Sequence, residues 1–168
     1  MGDKRMENTI NGTMSNDIID LSLSTKKRIR IDGDDSRVIE LNTSDMGIIE
    51  RVNGLSNRMV ELSNKFVDTK YDDEMNERQG EALAEEIKTI DTEMRKIVDD
   101  LFQSPICDVC VPDGTMFDMF NGEFMYEILI TKLLTLYADN IKSETEKAMK
   151  RIHKHTDKYI PQDHKKKS

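Results

Sequence analysis

The chain has 168 residues and a formal net charge of −8, with 36% apolar residues, 35% charged residues and no Trp. That is enough for one modest core, and the acidic total argues against nucleic-acid binding, which draws its affinity from phosphate neutralisation. No apolar run is long enough to span a bilayer, and residues 1–25 lack the continuous apolar stretch of a secretion signal, so a cytosol is the expected compartment.

Residues 1–25 are polar and mixed, and are expected to form a flexible arm. Met6 stands where a myristoylation signal needs Ser or Thr. Asn11-Gly12-Thr13 fits a glycosylation triplet, which carries no meaning without secretion. Ile18, Ile19, Leu21 and Leu23 at the end of the arm are apolar enough to lay an extra strand along the hairpin that follows, and an exposed strand of that kind would make a docking edge.

A β-hairpin is expected next. Ile29 and Ile31 alternate with Arg28 and Arg30, and Val38, Ile39 and Leu41 make the second strand. Asp32-Gly33-Asp34-Asp35-Ser36 is the expected loop between them. It fails as a calcium loop, because Arg37 and Thr43 occupy the positions that need Gly and Glu. Asn42-Thr43-Ser44-Asp45 is a cluster of helix-capping residues, so a first helix should begin near Ser44. Met46, Ile49, Val52, Leu55, Met59, Leu62 and Phe66 place its apolar face.

Lys70-Tyr71-Asp72-Asp73 is the expected turn into a second helix running to Phe102. Leu83, Ile87, Ile90, Met94, Ile97 and Leu101 form a heptad-like seam. It suits an antiparallel α-hairpin within the chain or the seam of a homo-oligomer. Acidic residues predominate over 68–100 and basic ones over 141–168. Two solvated helix faces explain that asymmetry, as do oppositely charged partners.

Pro105, Pro112 and Asp113-Gly114 punctuate a break after the second helix. Within it lies Cys107-Asp108-Val109-Cys110. Zinc needs four ligands, and only His153 and His155 are available to complete a set, so two reduced thiols are the simpler expectation. Thr115–Phe120 reads as a short apolar turn of helix, stopped by Asn121-Gly122. A last helix is expected from about Glu123 to His155, with Phe124, Ile128, Leu133, Leu136, Tyr137 and Ile141 as its core stripe. Residues 156–168 form a basic tail.

The fold class that results is mainly α: an N-terminal β-hairpin followed by an antiparallel α-hairpin and a long C-terminal helix, over residues 26–155. No Gly-rich phosphate loop and no nucleophile with a base and an orienting group are evident, so neither an enzyme nor a cofactor is expected. Paired acids on the second helix have the spacing of an exposed surface. The candidate partner-binding residues are Met116, Phe117, Met119 and Phe120, which are too dense for one face of a single turn, together with Ile87 and Met94 of the seam. Core filling is the alternative for all of them. The 11 Met residues suit adaptable contact surfaces or simply replace Leu in the core.

Lys27-Arg28-Ile29-Arg30-Ile31-Asp32-Gly33-Asp34-Asp35-Ser36 and the following Leu41-Asn42-Thr43-Ser44-Asp45 resemble the opening of small tail-assembly proteins of Firmicutes phages and prophages. Ile106–Phe120 is similar to the acidic loop, Gly and Phe-rich turn that precede the final helix in that family. The resemblance implies a phage tail assembly chaperone. Such a protein would bind the long tape-measure protein in the host cell cytoplasm and keep it in solution while tail-tube subunits, a further expected partner, polymerise around it. It also implies that Lys165-Lys166-Lys167 could be encoded by a frameshifting site, for which a plain basic tail is the alternative. A small structural tail or connector subunit of the virion and a helical cytosolic adaptor are competing functions.

Overall fold

Asp32 and Gly33 both take positive φ, 53° and 71°, the pairing a two-residue hairpin turn requires. A computed structural model of the protein describes residues 13–21, 26–70 and 77–156. Its hairpin consists of β1 (Lys26–Ile31) and β2 (Asp34–Asn42), paired antiparallel. The expected five-residue loop is therefore shorter, and β2 resumes at Asp34. Arg30 pairs with Val38 while Ile31 pairs with Asp34, so Asp35, Ser36 and Arg37 have no opposite residue in β1. This irregularity bends β2. Ile39 and Leu41 point into the core.

Helix α1 spans Ile48–Lys70 and α2 spans Glu77–Phe102. The turn expected at 70–73 falls largely outside the described residues. Arg51 Nε donates to Leu101 O at 2.8 Å and Arg58 pairs with Glu93 at 2.6 Å, so the two helices run antiparallel. The capping cluster lies ahead of α1, not at its first turn. Asp45 Oδ1 accepts from Gly47 N at 2.9 Å and Asp45 Oδ2 from Arg51 Nη2 at 2.5 Å. That turn delays the helix to Ile48, which is buried, and leaves Met46 and Ile49 exposed, against the expected face. From Met59 onward the face is as expected, with Met59, Leu62 and Phe66 in the core.

On α2, Ile90, Met94 and Leu101 of the seam are buried, and so are Val98 and Phe102. Ile87 and Ile97 are partly buried against the same core. The seam faces its own chain.

A short helix, α3 (Cys107–Cys110), interrupts the segment expected to be irregular. The apolar helical turn expected at 115–120 is instead a single hydrogen-bonded turn, Asp118 N to Thr115 O at 3.3 Å, followed by a second hairpin, β3 (Met119–Phe120) and β4 (Glu123–Phe124). Asn121 and Gly122 have φ of 52° and 81°, the same turn chemistry as Asp32-Gly33. Helix α4 runs Met125–Thr156. Its Tyr126 hydroxyl meets Ser63 Oγ of α1 at 2.8 Å, and Asn140 Nδ2 donates to Thr43 O at 3.3 Å just before α1. So α4 runs antiparallel to α1. Tyr126, Leu133 and Tyr137 are its buried residues, and 142–147 are exposed.

Residues 13–21 have no regular structure and are exposed, so the extra strand expected there is not formed by Ile18, Ile19 or Leu21. Leu23 and residues 157–168 of the tail lie outside the described residues.

Candidate interaction surfaces

The crossover from α2 to α4 is held by one face of α2. Asp91, Arg95 and Asp99 are spaced four apart and so share that face. Asp99 Oδ1 accepts from Ile106 N and Cys107 N, both at 2.9 Å, and so ties down the start of α3; Ile106 N is shared with Ser104 O, while Cys107 N is an end-of-helix donor that Asp99 satisfies. Arg95 pairs with Asp91 at 2.9 Å and donates to Asp108, to Val111 O at 2.9 Å and to Gly114 O at 3.2 Å. Asp91 Oδ1 accepts from Met116 N at 2.7 Å. These acids were expected on an exposed surface. They are instead part-buried acceptors for loop amides, because their partners come from the crossover that follows α2, 7 to 25 residues further on. The other end of α3 is closed by Arg37. Its guanidinium donates to Val109 O at 3.1 Å and Cys110 O at 2.9 Å, and pairs with Asp32 at 3.0 Å.

This frame divides the candidate partner-binding residues. Met116 and Phe117 are fully buried, and so is Met94, which makes them core residues and not a surface. Ile87 is half-buried at the α1–α2 junction. Only Met119 and Phe120, at 51% and 49% exposure, face solvent. Phe117 stacks on Phe66 with ring centroids 4.9 Å apart, and meets Phe124 and Tyr126 edge-on at 5.7 and 5.9 Å. Burial raises the Tyr126 hydroxyl pKa, against the lowering hydrogen bond from Ser63. Thus the β3–β4 hairpin is rooted in an aromatic cluster and displays two apolar side chains beyond it.

A second surface has no counterpart in the sequence reading. A groove of about 470 Å³ lies between β1 and α4, with Ile29, Ile31, Val111, Ile128, Leu129 and Leu136 among its lining residues. Arg30, Asp32 and Lys132 supply its charge. Alternation in β1 and the stripe on α4 are both legible in sequence; their juxtaposition is not.

Cys110 also borders this groove. Burial pushes its thiol up to about 11, with Arg37 acting in the opposite direction. Burial, reinforced by Asp99, pushes Cys107 higher still. Neither is an activated thiolate. Among the described residues no group of three or more His, Cys, Asp or Glu is placed to hold a metal ion. His153 is exposed on α4, and the His155 side chain is not among those described. No helix among the described residues is long and apolar enough to cross a membrane.

Comparison with protein-family models, with curated proteins and with solved structures finds no match to this chain.

Proposed function

We propose that this chain is a non-enzymatic assembly chaperone of the phage tail type. Its client would be the apolar, helical tape-measure protein, held in the host cytoplasm until tail-tube subunits enclose it. One observation carries the reading: Met119 and Phe120 stand exposed on a hairpin whose preceding residues, Met116 and Phe117, are locked in the core. An exposed Met–Phe pair on a fixed support is an adaptable apolar contact for a helix face. The resemblance of Lys27–Met46 and Ile106–Phe120 to tail-assembly proteins supports the same class. No side chain in the crossover has the arrangement of a nucleophile and base, which favours binding over catalysis.

The test is co-expression with the tape-measure and tail-tube proteins of the same tail gene cluster. The tape measure should move into the soluble fraction and co-purify with the tagged chain. It should lose that behaviour with the Met119→Ala/Phe120→Ala pair. An insoluble tape measure, with the tagged chain instead retained in finished particles, would favour the structural-subunit reading.

A further inference from the structure

The outer edge of β1 pairs with no strand among the described residues, and it borders the apolar groove against α4. Such an edge carries unpaired N–H and C=O groups beside pockets for alternate side chains, the template for adding a strand. The edge is basic: Lys26, Lys27, Arg28 and Arg30 lie along it. A second β1 would set like charges opposite one another, so β1 does not suit itself. The complementary sequence is Asp17-Ile18-Ile19-Asp20-Leu21, whose apolar side chains stand exposed, Ile19 at 82% and Leu21 at 78%. We infer that this segment of a second copy of the chain adds antiparallel to β1, with Ile19 and Leu21 in the β1–α4 groove.

Register decides between a second copy and the same chain. Cross-strand neighbours share a face, so Ile19 and Leu21 reach the groove only if they lie opposite Ile31 and Ile29. That alignment also sets Asp20 opposite Arg30, satisfying charge and hydropathy together. Within one chain it would bring residues 24 and 26 face to face, with residue 25 alone to make the turn. A hairpin needs at least two residues there. A longer turn within the chain would slide Asp17, not Ile19, opposite Ile31. The segment of a second copy has no such tether. Reciprocal exchange then closes a two-fold dimer. Arg30 already pairs with Asp35 at 2.9 Å, but that pair is highly exposed and worth little, so its exchange costs little.

The experiment is light scattering on the full chain across a concentration series up to about 200 µM, a range that reads weak self-affinity. A dimer is expected. Ile19→Asp with Leu21→Asp should weaken it by roughly tenfold or more, and circular dichroism should be unchanged because both side chains lie outside the core. Asp20→Arg and Arg30→Asp should each weaken the dimer, and the two reversals together should restore it. A wild type that stays monomeric overturns the inference. So does a dimer indifferent to the Ile19/Leu21 change, or a double reversal no tighter than either single one. Monomers whose outward-facing Arg28 and Arg30 amides are protected from exchange would assign the edge to the chain's own arm and likewise overturn it. The outcome is independent of any client, since no partner protein is present.

Discussion

Asp91 and Arg95, one turn apart on α2, meet at 2.9 Å and between them fix four points of the crossover: Asp108, Val111, Gly114 and Met116. The pair is mostly buried, at 14% and 17% side-chain exposure. Desolvation acts to lower the Arg95 pKa, but Asp91 and then Asp108 outweigh it, and the net direction is up. The ion pair thus converts a segment with two prolines and no long helix into a fixed platform for β3–β4.

Arg95→Met keeps the length of the side chain and removes every donor. Two loop carbonyls lose a partner and the Asp91 carboxylate loses its charge partner. A stability loss of about 2–4 kcal/mol is expected, measured by denaturant titration with the slope unchanged. Asp108→Ala should cost less than about 1 kcal/mol, because Asp108 is almost fully exposed. Equal losses in the two variants would show that the contacts to the loop backbone contribute nothing.

Phe117 and Phe120 lie three residues apart and should behave oppositely. Phe117→Ala opens a cavity among Phe66, Phe124 and Tyr126, and should cost about 3–5 kcal/mol. Phe120→Ala removes a half-exposed ring and should move stability by only about 0.5 kcal/mol. Client capture should follow the reverse order at a temperature where both variants remain folded. A Phe120→Ala protein that still captures the tape measure with undiminished yield would remove the hairpin from the contact surface.

Thr43 is buried, and its Oγ1 has no hydrogen-bond partner among the described residues. Thr43→Val keeps the shape and replaces that hydroxyl by a methyl. A gain of about 1 kcal/mol is expected. A loss of similar size, seen as a lowered melting temperature, would show that the hydroxyl is hydrogen-bonded in solution.

Why some of this is visible in the sequence and some is not follows from where the partners lie. Alternation in β1 and steps of three and four in α1, α2 and α4 are local signals, and apart from the start of α1 those elements stand where the pattern puts them. The start of α1 moves from Ser44 to Ile48 because Asp45 bonds forward to Gly47 and Arg51, a capping turn that leaves Met46 and Ile49 outside. Asn121-Gly122 is a readable signal that makes a hairpin turn and not a helix stop: the same positive-φ pairing that turns β1 into β2 also turns β3 into β4. Only two residues flank it on each side, too few to show a strand period. Asp91 and Asp99 are not legible as loop anchors, because a carboxylate on a helix looks the same whether it faces water or a distant amide. The groove is hidden for the same reason: Ile29 and Leu136 come to line one groove only through the fold.

Asp45 gives the fold an acid-sensitive contact. The hydrogen bond from Arg51 chiefly, with Gly47 N–H helping, holds its carboxyl below the usual carboxylate range against the opposing cost of burial. A carboxyl lowered in the folded state stabilises fully above its unfolded value of about 3.9, and that contribution is lost as pH falls through the folded value. Asp45→Ala should therefore be clearly less stable than wild type at neutral pH, by about 1–2 kcal/mol for a lost capping group. The gap should narrow as pH is taken below about 3.9. A gap that stays constant down to acid unfolding would mean that the ionised carboxylate adds nothing beyond the shape of the turn.

The thiols give the opposite dependence at the other end of the scale. Cys110, raised by burial to about 11, is protonated at neutral pH in the folded chain. An unfolded thiol ionises near about 8.5. A raised value favours the folded state fully below about pH 8.5 and loses that contribution as pH rises towards the folded value. Stability should therefore fall on the alkaline side, and Cys110→Ser should flatten that fall. Alkylation by iodoacetamide at about pH 8 should be slower than for a free thiol by on the order of a hundredfold, because the thiolate is the nucleophile and the buried thiol holds far less of it at that pH. Cys110, which is partly exposed, should react before buried Cys107. Mass spectrometry of the two sites after timed quenching reads both the rate and the order. Rapid labelling of Cys107 at the free-thiol rate would mean that α3 opens from its Asp99 and Arg37 anchors far more often than its hydrogen bonds indicate.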